Sequence, residues 1–357
     1  MPTDGNKKKK KSKESYSPKI SRDPKFNMAA LVVVVLGLGV AGYFILFSRA
    51  ASNNSSVEAE NGQLSGSAAS VSDSTASAGK YVRFGQVTSA TGPTIPAKSY
   101  GTCPTFANGD VSIAGRQVVM YMDNNAATSG GPLIFVWHGQ YGDPAAMVNY
   151  TFGNANTIEA IKNAGGIVVA PRQQTTGSWS YFSGWTDDKS DAKLVDEVTA
   201  CAIEKNLVAK DRIHMVGMSL GGFNTAHLAY LRSNYIASAV VMSGGLSNSD
   251  YSDISDNPAI IQNQNNKFAT IVFHGMGNGE AFENGSTIKP AVMNYYNFAK
   301  SKGQFTIMCD HKGGHVVPTQ AAAGIKEFFD KHPFGVKQAY NNKQWPSTFP
   351  STWSCSN

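Results

Sequence analysis

From Tyr100 onward the hydrophobic residues fall into two alternating patterns. Short, mostly apolar runs cover 117–122, 132–137 (PLIFVW), 166–170 (GIVVA), 212–216 (RIHMV), 236–242, 269–273 and 305–308. Brief continuous runs of this kind predict strands buried on both faces. Between them, 191–205 places Leu194, Val195, Val198, Cys201 and Ala202 on one face with polar residues opposite, which predicts an amphipathic helix. A second helix is predicted over 220–231, and 158–163, 294–300 and 321–329 sit in others. Strand–helix alternation of this texture makes a mostly parallel sheet covered by helices on both faces. In such α/β sheets the chemistry lies at the carboxyl ends of the strands.

The region before Tyr100 reads differently. Residues 49–98 are rich in Ser, Ala and Gly and poor in large apolar side chains, the composition of a stem. Ahead of it, the run from Met28 to Phe47 (MAALVVVVLGLGVAGYFILF) carries no charge. Twenty apolar residues rise about 30 Å as a helix, one hydrocarbon core. This predicts a transmembrane anchor over 28–48. A cleaved signal peptide is the other reading, with Ser48-Arg49-Ala50 as a cleavage site, although its apolar region would usually be shorter. Residues 1–27 hold nine Lys/Arg against three acids, leaving 22 of each sign in the rest, so the net charge of +6 belongs wholly to this tail. The positive-inside bias places the tail in the cytoplasm and everything after residue 48 outside. A neutral remainder, in a chain with only 16% charged residues overall, argues against a nucleic-acid partner and against disorder.

The chemistry gathers at three strand ends. Gly217-Met218-Ser219-Leu220-Gly221 follows the RIHMV strand and opens a helix, the context that gives G-x-S-x-G its meaning. A serine on so sharp a turn needs neighbours without side chains, and its hydroxyl is then held out over the sheet. Ser219 is therefore the expected nucleophile. An alcohol needs a base, and His315, at the end of Cys309-Asp310-His311-Lys312-Gly313-Gly314-His315, lies on the loop after the last strand. His311, nearer the strand, is the competitor and reads as a wall residue. Backbone donors for an oxyanion are expected at Leu220 and, in the loop after PLIFVW, at Gln140. His138 reads as a packed side chain that shapes that loop. Trp179, Tyr181, Phe182 and Trp185 form an aromatic cluster that either binds substrate or packs the rim; Trp185, Tyr181 and His138 are the candidate substrate contacts.

Together PLIFVWHGQ, RIHMVGMSLGG, ATIVFHG and CDHKGGHVVP resemble the polyhydroxybutyrate depolymerase and feruloyl esterase group of α/β-hydrolases, over Tyr100 to about Phe334. The resemblance implies the α/β-hydrolase fold over 99–340 with 341–357 as an extension, and a lipase-like serine esterase without cofactor or metal, acting on an ester that could be polymeric. It also implies an Asp four residues after the His of the HG that closes the ATIVF strand. Here that position is Asn278, and the nearest carboxylates are Glu280 and Glu283. Glu280 is the expected orienting acid, with Glu283, Asp253, Asp256 and Asn278 itself as alternatives. An amidase or peptidase of the same fold, and a catalytically weak surface-binding protein, are the competing functions. The stretch 57–85 (VEAENGQ…GKYVRFG) resembles the opening strands of β-sandwich carbohydrate-binding modules, which suggests a wall-contacting stem. The four cysteines, Cys103, Cys201, Cys309 and Cys355, all follow the anchor. They allow up to two disulfides in three possible pairings.

Overall fold

The computed structural model describes residues 68–72, 80–84, 92–123, 130–174, 178–180, 185, 190–276, 280, 287–336, 340 and 345–357. The basic tail and the apolar run at 28–47 lie outside these residues. Among the described residues no helix is long and apolar enough to cross a membrane. Within the stem, Ala68–Ser72 and Lys80–Phe84 pair as a two-stranded sheet.

The main sheet has nine strands among the described residues: β1 (Gly109–Ile113), β2 (Arg116–Tyr121), β3 (Gly131–Trp137), β4 (Ile167–Pro171), β5 (Val208–Met218), β6 (Ser238–Met242), β7 (Ala269–His274), β8 (Thr306–Asp310) and β9 (Ser354–Ser356). Their spatial order is β9-β8-β7-β6-β5-β3-β4-β2-β1. The central strands β4, β3, β5, β6, β7 and β8 pair in parallel. At the flanks β1 and β2 pair antiparallel, as do β2 with β4 and β9 with β8. Among the described residues seven α-helices follow the same chain order: α1 (Pro144–Phe152), α2 (Thr157–Asn163), α3 (Ser190–Glu204), α4 (Leu220–Leu231), α5 (Asn248–Asp256), α6 (Lys289–Ser301) and α7 (Ala322–Lys331).

Side chains alternate across a strand, and each face of the sheet has its own core. From β3, Leu133, Phe135 and Trp137 join Leu194, Val198, Tyr230 and Tyr295 from α3, α4 and α6. Ile134 and Val136 join Met147, Phe152, Ile161 and Phe328 from α1, α2 and α7 on the other face. Every residue of β3, β4, β6 and β7 is buried, which is why these strands read as continuous apolar runs.

The helix over 220–231 and the strands over 132–137 and 269–273 match the expected elements closely. β5 begins earlier than the RIHMV run, at Val208. Three elements carry no such signal. β1 is a five-residue edge strand. α1 follows Asp143, whose side chain accepts the amide of Ala146, and has Pro144 in its first turn. α5 is almost wholly polar, with Ile254 its buried residue and a capping box between Ser247 and Asp250.

Both ends of the domain are tied down. Thr94 donates to the carbonyl of Asn234 at 3.0 Å, Lys98 pairs with Glu204 at 2.6 Å, and the amide of Ser99 donates to Glu197 at 2.7 Å. The last part of the stretch read as stem is thus bound to the main domain. The C-terminal extension contributes β9. The cysteines pair as Cys103–Cys201 and Cys309–Cys355. Closing loops of 98 and 46 residues, each disulfide stabilises the fold by about 2–4 kcal/mol.

Buried imidazoles make stability depend on acid. His332 has no exposed surface and its ring lies between Phe305 and Phe328. Burial presses its pKa, and that of His311, from 6.5 to about 4. The unfolded chain therefore takes up these protons as pH falls below 6.5, while the folded chain resists until about 4. Stability is expected to be full above that window and to fall steadily through it. Urea midpoints measured on either side of the window check this; equal midpoints would contradict it.

Candidate active site

β5 delivers the chain into α4 through one strained residue. Ser219 has φ 57° and ψ −124°, a conformation that side chains rarely adopt, and it caps α4 without a side-chain hydrogen bond of its own. Its amide donates to the carbonyl of Met242 at 2.9 Å, and its carbonyl accepts from Phe223 at 3.0 Å. The glycines around it are obligatory. A Cβ on Gly217 would lie 2.2 Å from the carbonyl oxygen of Gly221, and one on Gly221 would lie 2.1 Å from that of Trp137. Neither obstacle is a movable side chain. Gly221→Ala is expected to cost about 3 kcal/mol or more of stability, because the end of β3 would have to move off α4. A thermal unfolding comparison with the wild type measures it, and an unchanged midpoint would refute the close approach.

His315 is brought to this serine from the loop after β8. Its Nε2 lies 2.9 Å from Ser219 Oγ. A tight turn holds it, with the amide of Val316 donating to the carbonyl of Gly314 at 2.9 Å. The loops after β7 and β8 meet backbone to backbone, since a Cβ on Gly275 would lie 2.2 Å from the carbonyl oxygen of Gly314. Burial lowers the pKa of His315, favouring the neutral imidazole that can accept a proton.

On the far side of the ring, Oε1 of Glu280 lies 3.9 Å from His315 Nδ1. That is an electrostatic neighbour rather than a formed hydrogen bond. Glu280 is buried, and its Oε1 accepts a short hydrogen bond from Ser243 Oγ. Burial raises the Glu280 pKa. The Ser243 hydroxyl and the Gly275 amide oppose that rise, and the charge of Asp310 adds to it. Of the alternative acids, Asp253 and Asp256 are exposed on α5, and the structure does not bring them to His315. Asn278 and Glu283 lie outside the described residues.

The loop after β3 faces the serine. A Cβ on Gly139 would lie 3.3 Å from Ser219 Cβ. Gly142 donates to the carbonyl of Gly139 at 3.1 Å, with Tyr141 at φ 53°, so Gln140 sits in a turn beside Ser219. His138 is buried. Its Nδ1 donates to the carbonyl of Gly139 at 2.8 Å, and its own carbonyl accepts from Trp179 Nε1 at 2.8 Å. It shapes the loop, and burial lowers its pKa. His311 is likewise a wall residue, its Nδ1 accepting from Gly313 and its ring lying beside Trp353.

A cavity of about 430 Å³ opens beside the Ser219 turn, lined by His138, Met147, Tyr150, Met218, Val316 and Val317 among others. Part of this lining was not expected from the sequence, because Ala146, Met147 and Tyr150 come from α1. The signal for that helix was Asp143-Pro144, an N-cap followed by a proline in the first turn. Neither Trp179 nor Trp185 lines the cavity. Trp179 is buried edge-on to Trp137, and Trp185 stacks on His227 with centroids 4.1 Å apart, so both pack the protein. Tyr181 lies outside the described residues. Among the described residues no group of three or more His, Cys, Asp or Glu gathers as a metal site would require.

A nine-stranded, largely parallel sheet with a strained serine after β5 and a histidine after β8 is the α/β-hydrolase fold. Solved structures agree on the fold. Native sOPH superposes with a TM-score of 0.53 at 17% identity, covering 73% of this chain and 97% of that one. Native pOPH gives 0.52 at 15% identity, over 73% of this chain and 96% of that one. No family model matches the chain, and no curated protein sequence does either.

Proposed function

We propose that this protein is a serine hydrolase that cleaves carboxylic esters through an acyl-enzyme. Ser219 is the nucleophile, His315 the base and Glu280 the acid that orients it. The observation that carries this reading is Ser219 itself, strained at φ 57° with its hydroxyl 2.9 Å from an imidazole nitrogen. Ser219 Oγ attacks the ester carbonyl carbon while its proton passes to His315 Nε2. The Nδ1 proton then points to Glu280, whose carboxylate stabilises the imidazolium. The amides of Leu220, the first residue of α4, and of Gln140 receive the oxyanion; each such donor is worth about 3 kcal/mol in the transition state. His315 returns the proton to the leaving alcohol, and water releases the acyl group by the same steps in reverse roles.

The cavity bears on the substrate. Met147, Met218, Val316 and Val317 offer an apolar wall to one side of the ester. An acetyl group would leave most of a 430 Å³ space to water. Bulkier uncharged groups, such as a hydroxycinnamoyl ester on polysaccharide or a unit of a polyhydroxyalkanoate-type polyester, suit it better. The apolar run at 28–47 anchors the enzyme, and the two disulfides fit a catalytic domain outside the cytoplasm.

Full-length protein treated with a fluorophosphonate and assayed on p-nitrophenyl acetate, p-nitrophenyl butyrate, methyl ferulate and a hydroxybutyrate oligomer tests the reading. Labelling at Ser219 with turnover of a bulky ester supports it. Cleavage of peptide amides in preference to esters would favour the amidase reading, and no labelling at Ser219 would refute serine catalysis.

A further inference from the structure

The end of β6 belongs to none of the parts assigned above, yet it touches two of them. Met242 accepts the amide of Ser219 through its carbonyl, at 2.9 Å. The next residue, Ser243, donates through Oγ to Oε1 of Glu280, the same oxygen that faces His315 Nδ1. Two adjacent residues thus bridge the nucleophile turn and the acid.

Ser243 is held tightly in this role. It is fully buried, and its φ is 44°, a region that non-glycine residues rarely enter. Its amide donates to the carbonyl of Phe273 at 2.8 Å, at the end of β7. The residues after it cannot relax. A Cβ on Gly244 would lie 2.7 Å from Gly222 Cα, and one on Gly245 would lie 2.2 Å from the carbonyl oxygen of Ala291. Strain of this kind persists where the surroundings over-determine it, and it clusters at functional sites. Glycine would adopt this φ at less strain but has no donor. Threonine keeps the donor but adds a branch at Cβ. Serine meets both demands.

We propose that Ser243 is a positioning residue: its hydroxyl holds Glu280 ionised and aimed at His315, and the turn at the end of β6 thereby fixes the acid relative to the nucleophile. This rests on the reading of Glu280 as the orienting acid. The groups that act on Glu280 are consistent with it. Burial and Asp310 favour its protonated form, and against them stand the Ser243 hydroxyl and the Gly275 amide. His315 faces the same oxygen. Glu280 and His315 titrate as a pair. Losing the donor to the carboxylate destabilises the active form, neutral His315 with ionised Glu280, relative to the form with a protonated carboxyl. The acid limb of activity must then move to higher pH.

The test uses full-length Ser243→Ala and Ser243→Gly, each alone and combined with Glu280→Gln, with kcat and KM for p-nitrophenyl butyrate measured across pH. Both single variants are expected to lose about 10- to 100-fold in kcat, the worth of one hydrogen bond to a charged group. KM should stay within about twofold, and the acid limb of kcat/KM should shift upward. In the Glu280→Gln background the same substitutions should change little. Ser243→Gly should melt no lower than Ser243→Ala, since glycine relieves the strained φ. Wild-type kcat with an unmoved acid limb would overturn the proposal, as would an equal loss with and without Glu280, the mark of a purely structural role. A neutral Glu280→Gln beside an inactive Ser219→Ala would overturn the reading of Glu280, and this proposal with it, while leaving serine catalysis in place.

Discussion

Ser219→Ala is expected to lower kcat for ester hydrolysis by about five to six orders of magnitude with the fold intact. The size of the effect follows from what the side chain does. Without Oγ no acyl-enzyme forms, and the remaining donors act only on a water that nothing holds in place. Folding should survive because Ser219 owes its strained backbone to its neighbours. Its amide is fixed to Met242 and its carbonyl to Phe223, and neither bond involves the side chain. Burst kinetics with a p-nitrophenyl ester, run beside circular dichroism, measure both halves of the expectation. An alanine variant that keeps more than a small fraction of wild-type turnover would show that another group attacks the ester.

Glu280→Gln is expected to reduce kcat by about 10⁴, comparable to amidating the aspartate of a serine-protease triad. An amide at this position is nearly isosteric, so the site should keep its shape, but it offers His315 no charge. The imidazolium formed on proton transfer would then sit half-buried without its counter-charge. The 3.9 Å separation does not argue against the role, because such bonds tighten when substrate closes the site. Asn278→Asp is the companion measurement. If Glu280 is the acid, a carboxylate at 278 should leave kcat unchanged or lower it. If Glu280→Gln is neutral and Asn278→Asp raises kcat, the site lacks its acid and the surface-binding function gains weight.

The parts of this protein that could be read from its sequence are those that local chemistry determines. The strand ending at Met218 and the helix starting at Leu220 were legible because an apolar run meets a glycine-flanked serine. Continuous apolar strands announced a parallel sheet, since each is buried on both faces. His315 could be found because a glycine-rich loop follows the last long strand. The rest depends on distant contacts. One side of the cavity wall comes from α1, whose hydrophobic face is short and whose start is marked only by Asp143-Pro144. The polar helix α5 buries little more than Ile254, so its periodicity is silent, although Ser247 and Asp250 spell its capping box. Trp179 and Trp185 looked like rim aromatics because sequence does not reveal that Trp137 and His227 await them. Ser243 gave no signal, for its hydroxyl meets Glu280 only once β6 and β7 lie side by side.

The Cys309–Cys355 bond ties the last strand to the one that leads to His315. It joins β9 to β8, the strand that runs on into the loop carrying His315. Cutting this link leaves β9 held on β8 by three residue pairs and by Phe349 and Trp353, which pack on Phe273. Ester turnover compared before and after reduction therefore measures how firmly the C-terminal segment steadies the loop that carries His315.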